Sequence, residues 1–337
     1  MNRRAVAVWS ILIAMLPAIG CLLSRAGAES PSERWTRHQY SAAHMGTSFV
    51  IVVFAPHDTS LEPAVQAAFA RIAELDSVLS NYRVDSKLNQ FCDTAPHATP
   101  VRLGDDMWYV LSRSLELAKL TDGAFDVTVG PLTKLWRRAR RRGELPDDRL
   151  LQAARERTGC RFLHLDIESQ SAQLGLPGMQ IDLGAIAKGY AADEALRVLR
   201  EHGWSRASVD AGGDFALGDP PPGKAGWRIA IASTEKDQPP TNFLTLANRG
   251  AATSGDLWQF SEIDGQRYSH ILDPRTGIGL TTRTSATVIA QNCTTADSLA
   301  SAAVVLGVDR GIALIEEMHG TEVSIVTPDG EQSTAGF

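Results

Sequence analysis

Residues 181–190 read IDLGAIAKGY, residues 294–301 read TTADSLAS, and the fold turns on how these two stretches meet. Each reads as the start of a helix with a carboxylate beside it, Asp182 in the first and Asp297 in the second. A helix start presents unpaired N–H groups and partial positive charge, which attract phosphate. Two carboxylates next to phosphates repel one another, so the pattern calls for a divalent cation between them. Magnesium suits it, with hard oxygen ligands and phosphate oxygens completing the shell. Lys188 falls in a first helical turn. There an exposed cation opposes the macrodipole by roughly 0.3–1 kcal/mol, so it is expected to face an anion. The competing reading makes both aspartates plain helix caps and leaves Lys188 in solvent.

Working outward, 337 residues suffice for one large or two modest domains. A net charge of -6 argues against a general nucleic-acid binder, which needs a broad basic face. One run departs from that balance: Arg137, Arg138, Arg140, Arg141 and Arg142, broken by Ala139. It reads as a solvated helix end, with an anionic membrane surface or a partner protein as the sharper alternative.

Residues 1–28 read as a signal peptide: Arg3 and Arg4, an apolar stretch over 5–23, then Ala26-Gly27-Ala28 before a mature start at Glu29. A lipobox-like Ala18-Ile19-Gly20-Cys21 offers the alternative exit, with membrane anchoring through Cys21. Either way the chain is expected to be exported to the periplasm. Residues 29–44 are expected to be linker, and 45–337 the folded domain. Cys92, Cys160 and Cys293 are too scattered for a disulfide framework or a zinc site, though one pair could bridge.

Along the domain, 45–54 reads as a buried strand, and 62–79 and 105–120 as amphipathic helices. The segments 162–165, 172–174 and 179–182 read as a strand meander. A helix over 185–202 closes at Gly203, and a strand from 207 ends in Gly212-Gly213-Asp214. Further strands are expected at 227–232, 243–247, 251–254, 258–260, 285–291 and 322–326, with helices at 295–306 and 312–318. Strands and helices alternate without a βαβ rhythm, which favours an α+β fold with mostly antiparallel sheets. No Gly-x-Gly-x-x-Gly follows a strand, and there is no Walker motif.

Several residues admit two readings. Tyr82 is either a surface aromatic or a platform for a planar ligand. Phe125, within the Gly-bounded loop 121–131, is either a core plug or part of a close ligand approach. His270 is either a satisfied core histidine or a proton carrier beside phosphate.

In order along the chain, these signatures resemble the ApbE family of FAD:protein FMN transferases over residues 45–326. They are Met45-Gly46-Thr47, Ser80-Asn81-Tyr82-Arg83, 121–130, 181–193, 210–214, Thr253-Ser254-Gly255-Asp256, 270–277 and 296–300. The resemblance implies an enzyme with its FAD site in a cleft between two subdomains. It would pass FMN from FAD to a threonine hydroxyl of a target flavoprotein and release AMP, with Mg²⁺ bound. Carried over by position, Met45, Tyr82, Ala124, Phe125, Asp126, Asp182, Lys188 and Ile271 would touch FAD. Asp297, the Ser301 hydroxyl and the Ala185 carbonyl would hold the metal. Ser301 departs from the family's usual threonine but keeps the oxygen. Asp297 and Ser301, at i and i+4, share a helix face. His270 is the candidate proton acceptor. Two alternatives stand beside this: an Mg²⁺-dependent FAD pyrophosphatase, and an exported flavin-binding protein without chemistry.

Overall fold

The computed structural model describes residues 35–231, 242–256 and 260–337. The expected signal peptide with Cys21, and parts of the strands expected at 227–232 and 258–260, lie outside the described residues.

The chain enters as a hairpin of β1 (Trp35–His44) and β2 (Thr47–Pro56), paired in full register from Trp35 opposite Pro56 to His44 opposite Thr47. Its two-residue turn is Met45-Gly46, with φ of 49° and 74°. That twist matches the strands it joins and favours glycine at one position. Residues 35–44 are therefore not linker, as the sequence suggested, but an edge strand of the domain.

Next come α1 (Glu62–Leu79), α2 (Lys87–Asp93), β3 (Val101–Arg102), α3 (Asp105–Leu120), α4 (Gly130–Arg142) and α5 (Asp148–Glu156). They lead to β4 (Leu163–Asp166), β5 (Ser171–Leu174) and α6 (Ala187–Glu201). The strands β6 (Ala207–Ala211), β7 (Phe215–Leu217), β8 (Trp227–Ala230), β9 (Phe243–Leu246) and β10 (Gly250–Gly255) follow. After them run β11 (Phe260–Ile263), β12 (Gln266–Ser269), β13 (Leu272–Asp273), β14 (Ile278–Gly279) and β15 (Ser285–Ala290). The chain closes with α7 (Cys293–Leu306), α8 (Val308–Glu316), β16 (Glu322–Thr327) and β17 (Gly330–Ser333).

Eight strands form the main sheet in the order β1-β2-β6-β7-β10-β15-β16-β17, and every neighbouring pair is antiparallel. The α+β expectation holds. α1, α6 and α7 bury their apolar faces on this sheet: Ile72 and Leu75, Ala191 and Leu199, Leu299 and Ala303 pack with Ile51, Val209 and Val288. Each fully buried Leu or Ile contributes about 1.5–3 kcal/mol. Two smaller cores sit beside the main one. Leu132, Trp136, Ala139, Ala154 and Leu272 join α4, α5 and β13, while Val52, Leu217, Trp227 and Ile229 seat the β8–β9 hairpin on the main sheet.

Segment 179–182 does not complete a meander with β4 and β5; β3 does, on the far side of β5. Instead, 179–182 runs beside the Gly-bounded loop. The Asp182 N–H donates to Val127 O at 2.7 Å and the Gly130 N–H to Gln180 O at 3.1 Å. Gly130 leaves no room for a Cβ there, which would lie 2.6 Å from the Gln180 carbonyl carbon. Cys92, Cys160 and Cys293 are all free thiols, so no bridge forms among them. Among the described residues, no helix is long and apolar enough to cross a membrane.

Candidate active site

The three cores meet around a cleft of about 1360 Å³. The β1–β2 turn brings Met45 to it, and the loop after α1 brings Tyr82. Ala124, Phe125 and Asp126 come from the loop after α3, and Asp182 and Ala185 from the turn before α6. Lys188 arrives on α6, His270 and Ile271 between β12 and β13, and Asp297 and Ser301 on α7. All twelve residues singled out in the sequence line this one cavity.

Its polar centre is where α6 crosses α7. The Asp297 carboxylate, almost fully buried, accepts the Gly189 N–H through Oδ2 at 3.0 Å. This leaves Oδ1 without a hydrogen-bond partner among the described residues. Gly189 makes the crossing this close: a Cβ there would stand 2.5 Å from Cys293 O and 2.9 Å from Asp297 Cβ. Lys188, one residue before, pairs with Asp214. Burial works against the Lys188 ammonium, but Asp297 and Asp214 together hold its pKa above the usual lysine range. Burial also raises both carboxyls, Asp214 further through repulsion from Asp297, and Lys188 partly offsets each rise.

Asp214 was not singled out in the sequence. Gly-Gly-Asp is an ordinary turn, and only the fold shows that Gly212 and Gly213, at φ of 74° and 101°, turn β6 into β7 beside α6. Gly213 N donates to Asp210 Oδ1 at 2.7 Å, closing the turn. The carboxylate facing Asp297 across Lys188 is therefore Asp214, a pairing the sequence did not reveal. Asp182 is taken up elsewhere: its carboxylate accepts from Thr133 Oγ1 at 2.8 Å, Arg137 Nη2 at 2.9 Å and Gly184 N at 3.0 Å. It ties α4 to the turn that leads into α6.

Tyr82 is 73 % exposed, with the Arg137 guanidinium 4.3 Å above its ring. Phe125 is both core plug and cleft wall, at 3 % exposure. Asp126 holds its loop by accepting from Thr128 N at 2.7 Å, Thr128 Oγ1 at 2.6 Å and Cys160 N at 3.0 Å. Burial, then the Asp126 charge, pushes the Cys160 thiol well above its ordinary range, so it stays protonated and inert.

The start of α7 is fixed from α6. Asp193 accepts from Cys293 N at 2.9 Å, Thr294 N at 2.8 Å and Thr294 Oγ1 at 2.6 Å, while Asn292 caps the helix through Thr295 N at 2.8 Å. These bonds satisfy N–H groups that a helix start leaves open. They also set Asp297 one turn further along, opposite Gly189.

For a metal, the available donors are hard: the Asp297 carboxylate, the Ala185 carbonyl and the Ser301 hydroxyl, the last 3.1 Å from Ser254 Oγ. Among the described residues no three His, Cys, Asp or Glu side chains gather into a metal site. That excludes a site complete in those side chains there, but not one finished by carbonyl, hydroxyl and ligand oxygens. Two buried carboxylates against one ammonium leave a negative excess that a cation would offset. The donor set fits Mg²⁺.

The sequence matches the ApbE family over residues 45–325. It is 34% identical to an FAD:protein FMN transferase of Vibrio cholerae over 330 residues, covering 96% of this chain and 97% of that one. A protein of the same name from Escherichia coli is 33% identical over 266 residues, 76% of this chain and 74% of its own. Among solved structures, the flavin transferase ApbE of Vibrio cholerae superposes with a TM-score of 0.78 at 31% identity, covering 89% of this chain and 97% of that one. The ApbE protein of Thermotoga maritima reaches 0.81 at 29% identity, covering 90% and 98%. With a family match across most of its length and relatives of this identity and coverage, the chain belongs to the ApbE family.

Proposed function

We propose that this chain transfers FMN from FAD to a threonine hydroxyl of a target flavoprotein and releases AMP, with Mg²⁺ as cofactor. The observation that carries the reading is the Asp297–Lys188–Asp214 cluster at the centre of a cleft that also gathers Met45, Tyr82, Asp182 and Ile271. It is supported by the names of the relatives at 33–34% identity.

In this reading FAD lies along the cleft with its diphosphate at the α6–α7 crossing. Asp297, the Ser301 hydroxyl and the Ala185 carbonyl would hold the metal. When bound, the metal ion neutralises charge that develops on phosphate oxygens as the P–O–P link breaks. Lys188, kept protonated by its two carboxylates, supplies a second fixed positive group. The threonine oxygen attacks the phosphorus on the FMN side, the bond to the AMP oxygen breaks, and AMP leaves with that electron pair. His270, on the cleft wall, takes the threonine proton. The buried hydrogen bonds of Asp193 and Asp182 hold these groups in place without joining the chemistry.

The test is mass spectrometry of an acceptor flavoprotein incubated with the protein, FAD and Mg²⁺. FMN on a threonine, with one AMP per adduct, is the expected result. Rapid formation of free FMN and AMP without an acceptor would favour the pyrophosphatase instead, and tight FAD binding with neither product would leave a binder. We also propose export to the periplasm, which comparison of the intact masses of the secreted and the full-length protein tests.

A further inference from the structure

In a chain of net charge -6, α4 carries five arginines within residues 137–142. Arg137 is accounted for, paired with Asp182 and lying over Tyr82. Arg140 is not. One turn further along the helix, it lines the cleft partly buried, with no hydrogen bond or ion pair among the described residues. Burial first, and the neighbouring Arg137 second, hold its guanidinium below the usual arginine range. Arg141 and Arg142 continue this end of the helix into solvent, also without ion pairs among the described residues.

A basic last turn gains about 0.3–1 kcal/mol from the helix dipole when exposed, which is reason enough for Arg141 and Arg142. It does not explain a partly buried arginine set beside a second one. Charges taken out of water are ordinarily paired, because desolvation is otherwise uncompensated. Among the described residues no anion meets Arg140, so its place in the cleft wall suits one that a ligand or partner brings.

We propose that the 140–142 end of α4 docks an acidic segment of the acceptor protein, with one carboxylate entering the cleft to pair with Arg140. This rests on the transferase reading, because only transfer to a protein requires a polypeptide at the cleft. Three features favour a polypeptide. Arg140 lies in the wall of a concavity, which a side chain can enter and a flat lipid surface cannot. FAD brings its negative charge as a diphosphate, which Lys188 on α6 is placed to meet, whereas Arg140 stands on α4. A guanidinium fork also matches a carboxylate in two parallel hydrogen bonds.

The test uses the full FAD-loaded chain and a short fluorescein-labelled peptide with one threonine among aspartates and glutamates. A twin peptide carries asparagine and glutamine instead. The acidic peptide is expected to bind in a salt-dependent manner and the twin about tenfold more weakly or worse. Arg140→Gln is expected to remove that preference and Arg140→Lys to keep part of it, with FAD affinity and melting temperature unchanged. Arg141→Gln/Arg142→Gln is expected to lower the salt dependence. Equal binding of the two peptides, or an acidic preference that survives Arg140→Gln, overturns the proposal. So does loss of FAD affinity in Arg140→Gln, which would assign Arg140 to the nucleotide. Arginine-dependent binding to phosphatidylglycerol vesicles with none to the peptide also overturns it, in favour of a membrane. FMN attached to an acceptor protein by the wild-type chain is scored separately by mass spectrometry, so a failed transferase reading is recognised apart from a failed docking site.

Discussion

Asp297 and Gly189 depend on one another. The Gly189 N–H bonds the carboxylate, and the missing Cβ lets α7 come near enough to offer it. Asp297→Ala removes the proposed cation's main ligand and is expected to lower FMN transfer about 10²–10³-fold, the range seen for loss of one group that stabilises charge in a transition state. Melting temperature measured alongside separates this from unfolding. Gly189→Ala forces a methyl group onto the Cys293 carbonyl and is expected to cost about 1–3 kcal/mol by chemical denaturation. An unchanged denaturation midpoint would contradict the packing described. At this scale the sequence was partly legible. Asp297 and Lys188 announced themselves through helix-start chemistry and Ser301 through the resemblance, whereas Asp214 did not. Its role comes from a pairing across 26 residues that no local pattern encodes.

Among the elements, α6 and α7 carry the site, and Asp193 is the tie between them. Asp193→Ala strips the acceptor from two backbone N–H groups and one hydroxyl. It is expected to cost about 1–3 kcal/mol and to lower transfer as well, because α7 then loses its fixed start. Equilibrium unfolding and the transfer assay together check this; full activity in a destabilised variant would show that Asp297 does not depend on the tie. The bounds of α1 and α3 were readable to the residue because each has an apolar face of helical period and its end signals are local. Glu62 and Pro63 open α1, and Asp105, Asp106 and Lys119 mark the ends of α3, although neither helix has a side-chain N-cap. β1 was not. Its sequence, WTRHQYSAAH, has few strong apolar residues and no fully buried position, so its strand alternation shows only once it pairs with β2. The third meander strand was misplaced for a related reason: a two-residue strand carries no periodicity, and the better apolar segment at 179–182 is claimed by the loop after α3.

For the whole molecule, the antiparallel sheet is a platform with an edge at each end. β1 covers β2, whose residues Ile51 and Val53 are fully buried. Removal of residues 1–44 would expose ten residues of apolar strand as a new edge, a template for association. That truncation is expected to aggregate or melt at lower temperature, while removal of residues 1–34 is expected to leave the fold intact; light scattering on the two proteins checks it. The three cores close around one cavity, and the α+β class was legible because hairpin spacing excludes a doubly wound sheet. Metal dependence belongs to this scale too, since the donors come from α7 and from the turn before α6. Chelation is expected to stop transfer, and added Mg²⁺ to restore it.

Diffraction from crystals soaked with FAD and Mn²⁺, with the ion located by its anomalous signal, tests the central claim most directly. The account predicts an ion at Asp297 and Ser301, with the diphosphate beside it at the α6–α7 crossing. A diphosphate remote from the α6–α7 crossing, with no ion beside it, would contradict the account.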